Sequence, residues 1–396
     1  MSESRASCAP ERGHGCGQGA MSWQTARLVA GAAAPTPPTV EVPLASAYGC
    51  RLAEPLRALV PLPGVDVSAM DGYAVAGAPP WRVMGRVLAG GKPFTDTLKP
   101  GEAVEIATGA PVPEGATAVL PYESSRRDAE FVRGEVVEGK HVRRRGEDVA
   151  EGAVVLAAGT PVTPVVLGFA AGLGHDTLPV RPRPRVDVLV TGDEVLTAGL
   201  PEPGRVRDAI GPWLSGLVAW AGGEPRTPVR IPDGADPLRA ALSDGGGADV
   251  VVVCGASSKG PADHLRAVLG GLRAEVLVDG VAVRPGHPQL LARLPDGRMV
   301  VGLPGNPFAA LAAALTLLVP LLRTSHEPGP RAELAGKVKP HPANTRLVAV
   351  RVEGRTAIPV GHDRPGSLWG AALADALAVV PPAWAGEPVE LLELPR

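Results

Sequence analysis

VDVLVTGDE, residues 186–194, is the stretch whose reading decides the fold. Val186, Val188, Leu189 and Val190 make a short apolar run that stops at the turn pair Thr191-Gly192. The design returns as ADVVVVCG from Ala248 and as MVVGLPG from Met299. AEVLVDGVAV from Ala274 reads as a further strand. Between these runs lie segments with helical spacing: PWLSGLVAWAGG from Pro212, PLRAALSDGG from Pro237 and ADHLRAVLGGLR from Ala262. FAALAAALTLLVPLLR from Phe308 closes the series. Continuous apolar strands separated by helices predict a mostly parallel sheet covered on both faces.

Ligands of such sheets bind beyond the carboxyl ends of the strands. Three ends carry distinctive loops here. The first is TGDE, with Gly192, Asp193 and Glu194; the second is CGASSKGPAD, with Gly255, Ser257, Ser258, Lys259 and Asp263; the third is LPGNP, with Pro304, Gly305 and Asn306. Glycine lets a backbone approach a ligand closely, and the helix start after LPGNP is expected to offer free N–H groups to an anion. Singly, each loop is also an ordinary turn or cap. VAVRPGHP adds Arg284, whose fork grips oxyanions, and His287. GxGxxG, GxSxG and GxxxxGK[ST] motifs are missing, which argues against a dinucleotide-binding dehydrogenase, an α/β-hydrolase and a P-loop ATPase.

Outward from this domain, residues 1–39 are rich in Gly, Ala, Pro and Ser and read as a disordered tail, with a helix allowed near Met21–Ala32. Residues 61–138 show short alternating runs cut by Gly and Pro, the pattern of a β-rich domain. Residues 40–60 and 139–180 read as a connector, with a helix from Pro164 capped by Thr163 and stopped by Gly174. PVRPRPR, 179–185, reads as a stiff linker into the α/β domain at 181–324. Residues 325–396 turn β-rich again, with a hairpin at Glu353-Gly354 and a short helix at Gly370–Leu377.

The chain has 396 residues, 45% of them apolar, enough for several cores. A net charge of −2 gives no field to draw nucleic acid or an anionic membrane, and the runs RPRPR and RRRGED are too short to change that. The longest apolar run, Phe308–Leu322, is interrupted by Thr316 and Pro320 and reads as a buried helix. Cys8, Cys16, Cys50 and Cys254 form no CxxC pair and read as scattered thiols of a reducing cytosol. A cytoplasmic protein without membrane or nucleic-acid partners is expected.

One loop outside the α/β domain belongs with those at its sheet edge. VDVSAMDGYAVAG, 65–77, places Asp71 before Gly72 and Tyr73. An acid before glycine ordinarily marks only a turn. Taken together, SAMDGYAV from Ser68, ATGAPVPEGATAVL from Ala107, RRRGED from Arg143, TGDEV from Thr191 and LPGNP from Leu303 resemble the molybdopterin molybdenumtransferase family, which includes the E-domain of gephyrin. The resemblance covers about Val40 to the C-terminus. It implies an elongated multidomain subunit: a central α/β molybdopterin-binding domain, a β-rich domain bearing SAMDGYA, a connector that also dimerises, and a small barrel-like C-terminal β domain. It further implies a homodimer with each active site shared between subunits, and a molybdopterin-adenylylating protein as pathway partner. The implied reaction is Mg2+-dependent: adenylyl-molybdopterin is hydrolysed, AMP leaves, and molybdate is inserted at the dithiolene sulfurs.

Carried over residue by residue, the resemblance implies catalytic roles for Asp71, Thr108, Glu194, Asp208 and Asp263, with Mg2+ on Glu194 and Asp263. It implies cofactor-binding roles for Gly192, Asp193, Gly255, Ser258, Arg284, His287, Pro304, Gly305, Asn306 and Ser367. Carboxylate oxygens suit Mg2+, and a further acid can activate water. Departures cluster on the molybdate side. The family's GGVSVGDxD reads GASSKGPAD, with Pro261 for an acid; KPGKP reads RPGHP; PGNPVS reads PGNPFA, with Ala309 for serine; YDSN reads RDAI; Val67 replaces asparagine. An imidazole at 287 is only partly charged near neutrality. Two alternatives to the enzyme follow: a catalytically weakened paralogue that carries molybdopterin or the finished cofactor, and a scaffold. Retention of Asp71, Glu194, Asp208 and Asp263 favours catalysis over carriage.

Overall fold

The computed structural model describes residues 20–255, 264–323 and 328–395. They form two compact units, one of residues 38–182 and one of residues 20–37 with 183–395. The boundary falls inside the expected linker, but most of PVRPRPR is strand: Thr177–Arg181 ends one unit and Arg185–Val190 begins the other.

The larger unit is built on the predicted strands. Arg185–Val190, Val250–Cys254 and Met299–Leu303 lie side by side in parallel, and the last two are buried at every residue. Alternate side chains serve two cores. Val186, Val188, Val250, Val252 and Val301 pack with helix Gly211–Trp220 and the helix from Pro307. Leu189, Val251, Val253 and Val300 pack with helices Ala235–Ser243 and Leu265–Gly271. Burial on both faces explains why the strands show no polar alternation. One strand departs from the parallel expectation: Leu290–Arg293 runs antiparallel to both its neighbours, Met299–Leu303 and Glu275–Asp279. Pro295-Asp296-Gly297 is the reason. Leu294 N–H bonds to the Arg298 carbonyl at 2.8 Å across it, with Gly297 at φ 92°. A turn this tight joins only antiparallel strands.

The expected disordered tail is corrected between residues 20 and 37. Ser22 caps a helix, Trp23–Ala32, whose Trp23, Ala26 and Ala30 enter the α/β core. Its partner is the long C-terminal helix, which contains a π-helical turn at Ala314–Leu318 just before Pro320. The turn follows from the proline, whose ring crowds the preceding turn of an α-helix. Val319 N–H shifts to the Ala314 carbonyl. Leu315 would then need a donor at position 320, which proline lacks. Arg27 supplies one, its Nη1 donating to the Leu315 carbonyl at 2.6 Å. Trp23 Nε1 donates to Thr316 Oγ1 at 3.2 Å. The helix thus completes a defect that Pro320 creates.

The C-terminal strands Arg331–Leu334, Thr345–Glu353, Thr356–Pro359, Ala376–Val380 and Val389–Glu393 close into a five-stranded barrel. Its hairpin turns on Gly354-Arg355, with Gly354 at φ 61°. The short helix is Trp369–Leu373, ending earlier than expected because Ala376 onward is committed to the barrel. Among the described residues no helix is long and apolar enough to cross a membrane.

In the smaller unit, Gly72–Val75 is a fully buried central strand of a six-stranded sheet. A Cβ on Gly72 would lie 2.0 Å from the Leu120 carbonyl oxygen, so no side chain fits there. Beside it Glu105 accepts from Tyr122 Oη at 2.7 Å and from Arg86 Nη2 at 3.0 Å. Burial works to raise the Glu105 pKa, but these bonds outweigh it and hold the carboxyl below its usual range. Tyr122 is pushed up to about 12, by burial first and then by the bond to Glu105. The remaining residues pair Val40–Pro43 and Arg51–Leu52 with Thr177–Arg181, and Leu56–Arg57 with Val154–Leu156. Helix Pro164–Gly172 packs there, with Thr163 Oγ1 accepting from Val166 N–H at 3.2 Å and Gly174 at φ 93°.

Two predictions follow from these contacts. Trp23→Ala is expected to destabilise by about 3–5 kcal/mol and Arg27→Ala by about 1–3 kcal/mol, read from denaturant midpoints; a wild-type midpoint in both would place the helix outside the fold. The folded state holds the Tyr122 proton more tightly than the unfolded chain does. That stability is complete below about pH 10 and is lost as pH rises toward about 12. Thermal melts of Tyr122→Phe should lack this alkaline loss.

Candidate functional site

Backbone hydrogen bonds gather the three loops at the carboxyl edge of the sheet. Thr191 donates both its N–H and its hydroxyl to the Cys254 carbonyl, each at 3.0 Å. Gly255 N–H donates to the Leu303 carbonyl at 3.1 Å. Gly255, at φ 101°, lies so near Thr191 that a Cβ would come 2.8 Å from its hydroxyl oxygen. A Cβ on Gly305 would meet Gly255 Cα at 3.6 Å. Gly192, Gly255, Pro304 and Gly305 are thereby neighbours. Ser258 and Asp263 of the middle loop lie outside the described residues, as do Ser257, Lys259 and Pro261.

The TGDE loop is held by its backbone. Arg205 donates to the Asp193 carbonyl, and Arg230 Nη2 donates to the carbonyls of Gly192 at 3.1 Å and Asp193 at 3.2 Å. Asp193 N–H donates to the Asp233 carboxylate at 3.0 Å. Glu194 is exposed, its carboxylate in no ion pair with a described residue. Val206 N–H bonds to the Glu194 carbonyl at 2.9 Å and leads the chain to Asp208. There the structure adds a task that sequence reasoning did not foresee. Asp208 Oδ1 accepts from the N–H groups of Ile210 at 2.8 Å and Gly211 at 2.9 Å, capping helix Gly211–Trp220. Its charge is felt at the end of the neighbouring strand. Burial above all, then Asp208, raises the Cys254 thiol.

Beside this edge lies a pocket of about 260 Å³, lined by Arg284, His287, Pro304, Asn306, Ala309, Arg346 and Asp363 among others. His287 Nδ1–H donates to the Val281 carbonyl at 2.7 Å, which leaves Nε2 for a ligand. Gly286, at φ 101°, packs on the following helix; a Cβ would lie 3.0 Å from the Ala309 carbonyl oxygen. Arg346 was not anticipated. It stands opposite Arg284 because Val283–Arg284 pairs in parallel with Thr345–Glu353. Its Nη1 donates to the Lys339 carbonyl at 2.6 Å and its Nη2 to Asp363 at 2.8 Å. No local signal marks such a residue, because the pairing that brings it in spans sixty positions.

The helix after LPGNP corrects an expectation. Pro307 has no N–H, and those of Phe308 and Ala309 are taken by the Pro365 carbonyl at 2.9 and 3.3 Å. The helix start is covered by the chain itself and offers an anion no free donor in its first turn. The covering segment also carries Ser367, whose Oγ accepts from Trp369 N–H at 3.2 Å.

In the smaller unit Asp71 is exposed, and its Oδ1 accepts from Thr108 N–H at 2.7 Å. Thr108 therefore meets Asp71 through its backbone N–H. Tyr122 N–H donates to the Asp71 carbonyl at 3.2 Å. The RRRGED run is tied to the same region: Arg145 N–H and Arg144 Nη1 bond to Asp66 at 2.8 and 2.6 Å. The Arg145 N–H foremost, then Arg144, hold the Asp66 carboxyl below its usual range.

Three family models match the chain in order. They are the MoeA N-terminal region (domain I and II) at residues 21–174, a probable molybdopterin binding domain at 187–324, and the MoeA C-terminal region (domain IV) at 331–394. Molybdopterin molybdenumtransferase 2 of Mycobacterium tuberculosis is 38% identical over 302 residues, 72% of this chain and 74% of that protein. Molybdopterin molybdenumtransferase of Bacillus subtilis is 32% identical over 359 residues, 83% of each chain. Among solved structures, a molybdopterin biosynthesis MoeA protein from Pyrococcus horikosii matches with a TM-score of 0.77 at 27% identity, covering 95% of this chain and 99% of that one. The chain belongs to the molybdopterin molybdenumtransferase family and is a transferase of molybdenum cofactor biosynthesis.

Proposed function

We propose that the chain hydrolyses adenylyl-molybdopterin with Mg2+, releases AMP and inserts molybdate to form the molybdenum cofactor. One observation carries this reading. The loops bearing Gly192, Gly255 and Gly305 meet at one sheet edge, beside a pocket whose Arg284 and Arg346 suit oxyanions. Glu194 is an exposed carboxylate beside that edge, and Asp71 is a second, held by a backbone N–H. Mg2+ is assigned to Glu194 and Asp263. The donor set suits it: both are carboxylates, and Mg2+ prefers one or two of these together with substrate phosphates over an all-protein cage. When bound, the ion neutralises phosphate charge.

A homodimer is proposed on the exposed surface of the smaller unit. Helix Pro164–Gly172 is apolar on all sides, yet only Ala170 is buried and Val165 is 80% exposed. Leu59 and Val60, beside its C-terminal end, are exposed as well. An apolar helix of this kind calls for cover, and a second copy supplies it symmetrically. Asp71 of one subunit then serves the α/β unit of the other. We place the reaction in the cytoplasm, downstream of a molybdopterin-adenylylating protein.

The pocket favours a second reading on one point. His287 and Ala309 stand where the family pattern has lysine and serine, so molybdate insertion is the weakened half-reaction. Incubation with adenylyl-molybdopterin, Mg2+ and molybdate should release AMP, with cofactor yield limited at low molybdate. Absence of AMP overturns the enzyme; full yield at low molybdate overturns the weakening. Asp71→Asn should slow AMP release by roughly 100-fold. Val165→Asp should yield an inactive monomer, and full activity in a monomer contradicts a shared site.

A further inference from the structure

A second concave surface lies on the smaller unit and has no part in the reaction proposed above. It is a groove of about 740 Å³ built from Val119 and Pro121, the hairpin of Ser125–Asp128 with Phe131–Gly134, and residues 135–141. Arg126, Arg133, Lys140 and His141 line it, with Ser124 and one acid, Glu135. His141 ties it to the SAMDGYA stretch, since its carbonyl accepts from Ala69 N–H at 2.9 Å.

The register of the hairpin sets its chemistry. Arg126 stands directly opposite Arg133, so the two side chains share a face. The adjacent pair, Arg127 with Val132, faces the other way: Val132 is buried and Arg127 reaches Glu105 and Tyr73. Like charges directly opposite on a sheet are destabilising. Several other arginines of this unit are paired with carboxylates. Arg82 pairs with Glu130, Arg86 with Glu105, Arg143 with Asp148, Arg144 with Asp66 and Arg145 with Glu151. Arg126, Arg133 and Lys140 have no carboxylate partner among the described residues. Three fixed cations thus converge against a single acid, on a chain whose net charge is −2. Gly134 keeps the floor bare, because a Cβ there would lie 2.6 Å from both Leu120 Cδ1 and the Ser124 carbonyl oxygen.

We propose that this groove binds the phosphate or diphosphate group of a small molecule. Two adjacent guanidinium forks match the geometry of phosphate oxygens. The volume is that of a small-molecule site, which typically spans about 300–1,000 Å³. The bound anion removes the repulsion between Arg126 and Arg133. The proposal stands on the groove alone and does not require catalysis at Asp71.

The test is calorimetric titration of the full chain with inorganic pyrophosphate, and separately with AMP, at low salt. The background carries Arg284→Ala and Arg346→Ala, which removes the cations of the other pocket. Pyrophosphate binding should persist in that background. It should weaken by about tenfold or more when Arg126→Gln and Arg133→Gln are added, and Lys140→Gln should weaken it too. The double change relieves repulsion, so its melting temperature should equal or exceed that of the background. Loss of binding in the background, or an affinity indifferent to the added substitutions, overturns the proposal. Where the added substitutions cost AMP more than pyrophosphate, the ligand is a nucleotide; where they cost pyrophosphate more, it is a phosphorylated compound without a base.

Discussion

Two carbonyl oxygens at the end of a buried sheet hold the α/β site together. Cys254 receives both donors of Thr191, and Leu303 receives Gly255 N–H. These bonds extend the strand ladder one step into the loops, so the loops inherit the rigidity of the core. The step is possible only because Gly255 takes a positive φ against Thr191 and Gly192 takes another beside it. A side chain at Gly255 would push the first two loops apart. The sheet itself is secured from behind, where Trp23 and Arg27 complete the helix that Pro320 distorts. Loop placement, and through it the chemistry, rests on that packing.

Electrostatics at the site is local. With a net charge of −2 the chain does not attract anions at long range. It concentrates cations in pockets and spends its acids on positioning. Asp66 anchors Arg144, Glu105 collects Tyr122 and two arginines, and Asp208 caps a helix. Glu194 and Asp71 are exposed and outside any ion pair with a described residue, a state they share with other surface acids.

Much of the fold was legible in the residues. The apolar strands ending in glycine located the sheet and its ligand edge, because burial on both faces leaves a continuous apolar signal. The Thr163 and Gly174 boundaries of the connector helix were legible because caps are local chemistry. What escaped was non-local. Arg346 joins the pocket through a strand pairing made far along the chain, and Pro365 covers the LPGNP helix from the same region. The helix allowed near Met21–Ala32 does form, but its place in the α/β core was not legible, because it rests on contacts with Thr316 and Leu315, nearly three hundred residues away. The one antiparallel strand, Leu290–Arg293, did have a signal, Pro295-Asp296-Gly297, which the alternation of strands and helices obscured.

The central claim is that the acid of one subunit and the loops of another make one site. Subunit mixing tests it directly. Asp71→Asn and Glu194→Gln proteins, each inactive alone, are combined under conditions that exchange subunits. The account predicts that AMP release returns in the mixture, because one of the two sites in each mixed dimer regains both acids. A mixture as inactive as its components, with exchange verified, would contradict it.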